Sequence, residues 1–306
     1  MGTPQAAVPT LRRCVEDGHE VVAVWTQPDR PSGRGHKVSF SPVKEFALSH
    51  NLRVQQPQRI KTDESKQLFA SHDADVAVVV AYGRILPEEF LRAPARGCIN
   101  VHFSLLPRYR GAAPANWAIV NGDRETGVTT MFMEPTLDTG PILLQRTTKI
   151  GDTETAPELM QRLSETGAEL LSETLARLDE LTPQPQDDSQ ASFAPIIKKE
   201  DGLIDWTRPS HVIEAAIRGF QPWPTAYTSF NSKGLTIREA QPLLCVSPGV
   251  HPGEVVVAHR DELVVQCGEE TALRVLEVQP EARKRLAARD FINGMRVKVG
   301  DRFGKD

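Results

Sequence analysis

The sequence predicts an α/β protein: a Rossmann-like, doubly wound and mostly parallel sheet, followed by a small β-barrel. Strand and helix signals alternate through the first 150 residues, the rhythm of a sheet covered on both faces. The segment 75–80 turns wholly apolar after Asp75, as a parallel strand buried on both sides does. After a Pro-rich stretch near residue 182 the pattern changes to short, evenly spaced strands.

In chain order, Val8, Leu11 and Val15 recur at helical spacing, and Gly18 ends that helix. Residues 21–25 (Val-Val-Ala-Val-Trp) read as a buried strand, and 28–35 as a Pro/Gly/Arg loop. Ser41-Pro42 opens a helix to Leu48, with Ser41 as cap and Pro42 in its first position. Leu68 and Phe69 belong to a further helix, and Cys98–Val101 to a further short strand. A long helix spans about 155–181. Residues 182–199 read as a polar linker, and strands follow near 225–230, 235–239, 253–257, 263–266 and 272–278. The first helix precedes a strand but follows only six residues, so the opening βαβ unit lacks its first strand.

Length and composition exclude several classes. A chain of 306 residues suits two domains of about 100–200 residues each. A bilayer-crossing helix needs about 20 apolar residues, and the longest apolar run is Val76–Ala81. Cys14, Cys98, Cys245 and Cys267 form no CxxC pair, which speaks against a zinc ribbon or disulfide scaffold and for a reducing, cytoplasmic setting. No His/Glu cluster has zinc or calcium spacing, so no metal is expected. No Walker loop or GxGxxG is present. The net charge of −4 does not announce a nucleic-acid binder, yet Arg283, Lys284, Arg285, Arg289, Arg296 and Lys298 form a local basic run.

The chemistry concentrates in one stretch, residues 100–114. Asn100 and His102 are two apart on a strand and share a face. They sit where strand gives way to loop, the usual place for sites in such sheets. An amide beside an imidazole can clamp an oxyanion and move a proton. Equally, both side chains could simply bond nearby backbone. Asp138, in the turn Thr136-Leu-Asp-Thr-Gly-Pro, could accept a hydrogen bond from His102, or be an ordinary turn aspartate.

Several segments resemble one family: Gly2-Thr-Pro, Thr26–Gly35, Asn100–Pro114, Glu125–Thr129, Leu137-Asp-Thr-Gly, Ile204-Asp-Trp, Gln221-Pro-Trp-Pro and Ile292-Asn-Gly. Together they are similar to the methionyl-tRNA formyltransferases, from Gly2 nearly to the end. Ser104–Pro107 is shared more widely among formyl-tetrahydrofolate enzymes.

The resemblance implies transfer of the formyl group of 10-formyltetrahydrofolate to the amino group of methionyl initiator tRNA, by a monomer. It implies a catalytic trio of Asn100, His102 and Asp138. Asn100 and His102 would donate to the oxyanion, while Asp138 orients His102 and helps remove the amine proton. Ser104, Leu105, Leu106 and Pro107 would bind folate. Arg30, Arg34 and Lys37, in a loop entering the acceptor stem, would contact tRNA, as would Arg283, Lys284 and Arg285. Its domains would span 1–181 (catalytic) and 200–306 (OB-like, RNA-binding), joined by 182–199. Family members begin with an apolar strand before Gly2-Thr-Pro, so the expectation is that the true start lies upstream of Met1.

Two kinds of alternative compete. One is the same chemistry on an aminosugar nucleotide, or formyl-tetrahydrofolate hydrolysis. The other is an inactive, shortened RNA- or folate-binding form.

Overall fold

The computed structural model describes residues 1–32, 37–244 and 249–304. The chain divides into two compact units. One comprises residues 1–114, 125–149 and 159–194; the other comprises 115–124, 150–158 and 195–306.

The first unit begins with α1 (Val8–Glu16), β1 (Val24–Trp25), the antiparallel pair β2 (Arg30–Ser32) and β3 (Lys37–Ser39), and α2 (Pro42–Ser49). Ser41 caps α2 as its sequence predicts, its hydroxyl accepting from Lys44 N at 3.2 Å. There follow β4 (Val54–Gln55), α3 (Asp63–Ala70), β5 (Ala77–Val79), α4 (Glu88–Arg92), β6 (Cys98–His102) and β7 (Arg110–Gly111). After α5 (Pro114–Val120), which falls mostly in the second unit, come β8 (Glu125–Phe132), β9 (Ile142–Lys149), most of α6 (Ala156–Ala176) and β10 (Phe193–Ala194).

β1 pairs parallel with β4, and β5 parallel with β6; β8 and β9 then add on antiparallel. The sheet is therefore mixed, its antiparallel half being the β8–β9 hairpin. The core holds Trp25 edge-on to Phe69 and Phe90, which stack on each other at 4.2 Å.

Where the sequence asks for a leading strand, Met1 and Gly2 lie between β1 and β5. Gly2 N donates to Trp25 O at 3.0 Å, Val80 N to Met1 O at 2.9 Å, and the Met1 amino group to Val78 O at 2.6 Å. Burial pulls the pKa of that amino group down to about 6. Alongside lies a cavity of about 650 Å³, lined among others by Val22, Val24, Val76 and Val78. Residues 21–23, expected to extend the second strand, are not in ladder pairing; only Val24 and Trp25 are.

The second unit is built on an antiparallel sheet. Its strands are β11 (Ala226–Phe230), β12 (Lys233–Leu244), β13 (Val255–His259), β14 (Glu262–Gln266), β15 (Thr271–Pro280) and β16 (Leu286–Ala287). They lie in the order β11-β12-β15-β14-β13, with β16 against β15. Two helices, α7 (Ser210–Gly219) and α8 (Ala288–Met295), pack on this sheet. Trp206, Phe230, Phe291 and Phe303 fill the core, and Trp206 Nε1 donates to Thr228 Oγ1 at 3.1 Å.

Among the described residues no helix is long and apolar enough to cross a membrane, and no group of three His, Cys, Asp or Glu could hold a metal.

Candidate functional site

β6 is hydrogen-bonded on both edges, to β5 and β8, and all five of its residues are buried. Alternation sends Val101 towards α6, where a Cβ on Gly167 would stand 2.8 Å from Val101 Cγ1. Asn100 and His102 therefore point to the opposite face. Both are nearly closed off from solvent, at 9% and 6% exposure.

Asn100 has no hydrogen-bond partner for its side-chain amide among the described residues. The residue as a whole is 9% exposed, and its amide is not among the fully buried polar atoms that lack a partner. That is the arrangement of a group kept for a ligand rather than for the fold.

His102 is held differently. Its Nε2 lies 2.9 Å from the main-chain oxygen of Tyr109. A carbonyl only accepts, so Nε2 carries the hydrogen, and neutral His102 keeps its lone pair on Nδ1. That nitrogen faces Asp138 Oδ2 at 3.8 Å. The distance suits an ion pair but exceeds a hydrogen bond, so the expected direct bond from His102 to Asp138 is not formed. Nor can neutral His102 donate to an oxyanion, since its one N–H is spent on Tyr109; donation requires the imidazolium.

Asp138 sits in the β8–β9 turn with φ of 53°, and its Oδ2 accepts from Gly111 N at 2.8 Å. The fold thus brings the three predicted residues together in one unit, His102 and Asp138 nearly in contact.

The segment 104–107 is drawn inward. Ser104 Oγ donates to Arg108 O at 2.6 Å, and Thr129 Oγ1 donates to Ser104 O at 2.7 Å and accepts from Leu106 N at 3.1 Å. Gln145 Nε2 closes the same turn onto Leu106 O at 2.8 Å. Leu106 is buried, and Leu105 lies over Gly127, where any Cβ would come within 2.5 Å of it. Both leucines take part in packing the turn.

The basic residues divide. Arg34 lies outside the described residues, and Arg30 and Lys37 fall on paired strands β2 and β3. Arg283, Lys284 and Arg285 are exposed between β15 and β16, and Arg285 Nη1 faces Glu277 at 3.5 Å.

Within the stretch that reads as a linker, residues 184–194 are bonded into the first unit. Gln184 bridges to Ile142, and β10 pairs parallel with β7. Arg110, Gln186, Thr129 and Gln145 all support the site, and none was singled out from sequence. Arg110 lies inside the motif that carries the family likeness. Thr129 likewise closes the Glu125–Thr129 segment of that likeness, whereas Gln145 and Gln186 carried no local signal, because their partners are 16 to 76 residues away.

A mixed α/β sheet with an unpartnered amide and an imidazole at the end of β6, and a carboxylate facing the imidazole from the β8–β9 turn, fits an acyl-transferring class. The Formyl transferase family matches residues 1–175, and the Formyl transferase, C-terminal domain family matches 196–296. The chain belongs to the formyl transferase family.

Within it, the similar curated proteins are methionyl-tRNA formyltransferases. That of Caldanaerobacter subterraneus subsp. tengcongensis is 50% identical over 303 residues, covering 98% of this chain and 97% of the relative. That of Citrifermentans bemidjiense is 49% identical, covering 100% and 95%. Among solved structures, the sugar 3N-formyl transferase WlaRD has a TM-score of 0.66 at 18% identity, covering 92% of this chain and 97% of that one. An N-formyltransferase from Helicobacter canadensis, solved with folinic acid and dTDP-3-aminofucose, has a TM-score of 0.66 at 18% identity, covering 91% and 97%. At that identity the structures establish the fold.

Proposed function

We propose that this protein transfers the formyl group of 10-formyltetrahydrofolate to the α-amino group of methionyl initiator tRNA, as a monomer in the cytoplasm. The observation that carries the chemistry is the unpartnered amide of Asn100, on the same face of β6 as His102, with Asp138 3.8 Å from the imidazole. The relatives of 46–50% identity over nearly the whole chain support the substrate.

The neutral amine attacks the formyl carbon, and the carbonyl electrons move onto the formyl oxygen. Asn100 Nδ2 donates to that oxyanion. Preorganised donation of this kind is worth about 3 kcal/mol. Nδ1 of His102, its lone pair exposed by the Tyr109 contact, takes the proton from the attacking nitrogen. Asp138 stabilises the imidazolium from 3.8 Å. The C–N10 bond then breaks and the proton passes to N10, giving formyl-methionyl-tRNA and tetrahydrofolate.

Folate is bound along Ser104–Pro107, where Leu105 and Pro107 keep partial exposure. Arg30, Arg34 and Lys37 contact the RNA, as do Arg283, Lys284 and Arg285 of a second, OB-like domain running from about residue 200. The catalytic domain covers about 1–181.

The decisive experiment compares formyl transfer from 10-formyltetrahydrofolate to charged initiator tRNA and to aminosugar nucleotides. Transfer to the tRNA alone is expected. Preference for an aminosugar, or hydrolysis with neither acceptor, would overturn the assignment.

A further inference from the structure

Gln186 lies in the polar, Pro-rich stretch that reads as a tether, yet all of its amide's hydrogen-bonding capacity is committed inside the first unit. Its Nε2 donates to the carbonyls of Asp138 at 2.9 Å and Gly140 at 2.7 Å. Its Oε1 accepts from Arg110 Nε at 3.1 Å and Nη2 at 2.8 Å. Arg110 is a buried cation, 5% exposed, and its Nη2 also meets Asp188 Oδ1 at 2.8 Å. The guanidinium donates only, so it fixes which end of the Gln186 amide faces it. The NH₂ end is thereby turned onto the Asp138–Gly140 backbone.

The same stretch grips Asp138 from a second side. β10 pairs with β7 through Phe193–Arg110 and Ala194–Gly111, placing the Gly111 N–H that meets Asp138 Oδ2. Neither grip has slack: a Cβ on Gly111 would stand 2.5 Å from Ala194 O, and one on Gly140 would stand 1.9 Å from Phe132 O. Asp138 has a positive φ, which its turn must enforce from outside. We infer that Gln186 is a positioning residue, which holds the Asp138 turn so that its carboxylate stays opposite His102 Nδ1. This rests on the proposed catalytic role of Asp138.

The test uses the full chain and a double-mutant cycle. Gln186→Glu keeps the acceptor for Arg110 but sets a carboxylate oxygen against two carbonyls; Gln186→Ala removes both contacts. Each is expected to lower kcat about 10- to 100-fold, the usual cost of a misplacement near 1 Å. KM for tRNA and folate should stay within about twofold, since the polar atoms of the Gln186 amide are all bonded within the protein. In an Asp138→Asn background, Gln186→Ala should add almost nothing, because both act through one carboxylate. A folded Gln186→Glu enzyme with wild-type kcat would overturn the inference, as would a full additive loss in the Asp138→Asn background. Wild-type turnover by Asp138→Asn alone would instead overturn the catalytic reading beneath it. If Gln186→Ala unfolds, the Gln186→Glu arm, which retains the Arg110 contact, decides.

Discussion

The main-chain oxygen of Tyr109 accepts a 2.9 Å hydrogen bond from Nε2 of His102, and this contact decides which ring nitrogen is free to work. In that tautomer neutral His102 has no N–H left over, and its Nδ1 faces Asp138 Oδ2 at 3.8 Å; the proposed mechanism uses this nitrogen as the proton acceptor. Tyr109 has a φ of 61°, and its own N–H is held by Ser192 Oγ at 2.9 Å. The tautomer is therefore set by a loop fastened to the 182–194 stretch.

Asn100→Ala should cut kcat by about 10²-fold or more, near 3 kcal/mol, the usual loss for one oxyanion donor. Because the amide supports nothing in the fold, melting temperature should scarcely move. Formyl-transfer kinetics beside thermal melts check both halves. A near-native rate would remove Asn100 from the reaction.

For His102→Ala the expected loss is about 10²- to 10⁴-fold in kcat, as for a proton-transfer group. KM for both substrates should change little. His102→Gln should not restore the rate, since an amide offers no basic nitrogen. Steady-state kinetics with the two variants would reveal otherwise.

Much of this site was legible in sequence, and the limits were physical. The alternation that puts Asn100 and His102 on one face is local, as is the Ser41-Pro42 cap of α2. The β8–β9 hairpin was not recognised: β8 (Glu-Thr-Gly-Val-Thr-Thr-Met-Phe) has six buried residues in a row and no alternation to read. The segment around Gln186 looked like a linker because Pro and polar residues are ambiguous. What pins it are partners up to 76 residues away, which local patterns cannot encode.

The basic residues should affect RNA and leave folate alone. Arg34→Ala, Arg283→Ala and Lys284→Ala should each raise KM for charged tRNA and reduce the slope of log affinity against log salt by about one or less. Arg285→Ala should do less, because Glu277 already offsets its charge. Titrations at several salt concentrations test this, and an equal rise in folate KM would contradict it.

Three thiols predict the alkaline limit of stability. Burial pushes Cys14 up to about 11, and Cys98 and Cys267 up to about 12, from an ordinary value of 9.0. The unfolded chain ionises first as pH rises, so their contribution is complete below about pH 9 and fades towards 11–12. Urea melts between pH 8 and 11 should show falling stability, and the native protein should react slowly with iodoacetamide at pH 8. Rapid labelling of all three in the native state would contradict the burial.

The lacing of Met1 and Gly2 between two strands bears on how the protein should be handled. Any segment joined ahead of Met1 would start at an amino group bonded to Val78 O, beside the cavity that Val22 and Val78 line. A bulky or charged handle there risks disturbing the main-chain bonds of Met1 and Gly2. A carboxy-terminal handle leaves those main-chain bonds alone and is the safer choice for purification.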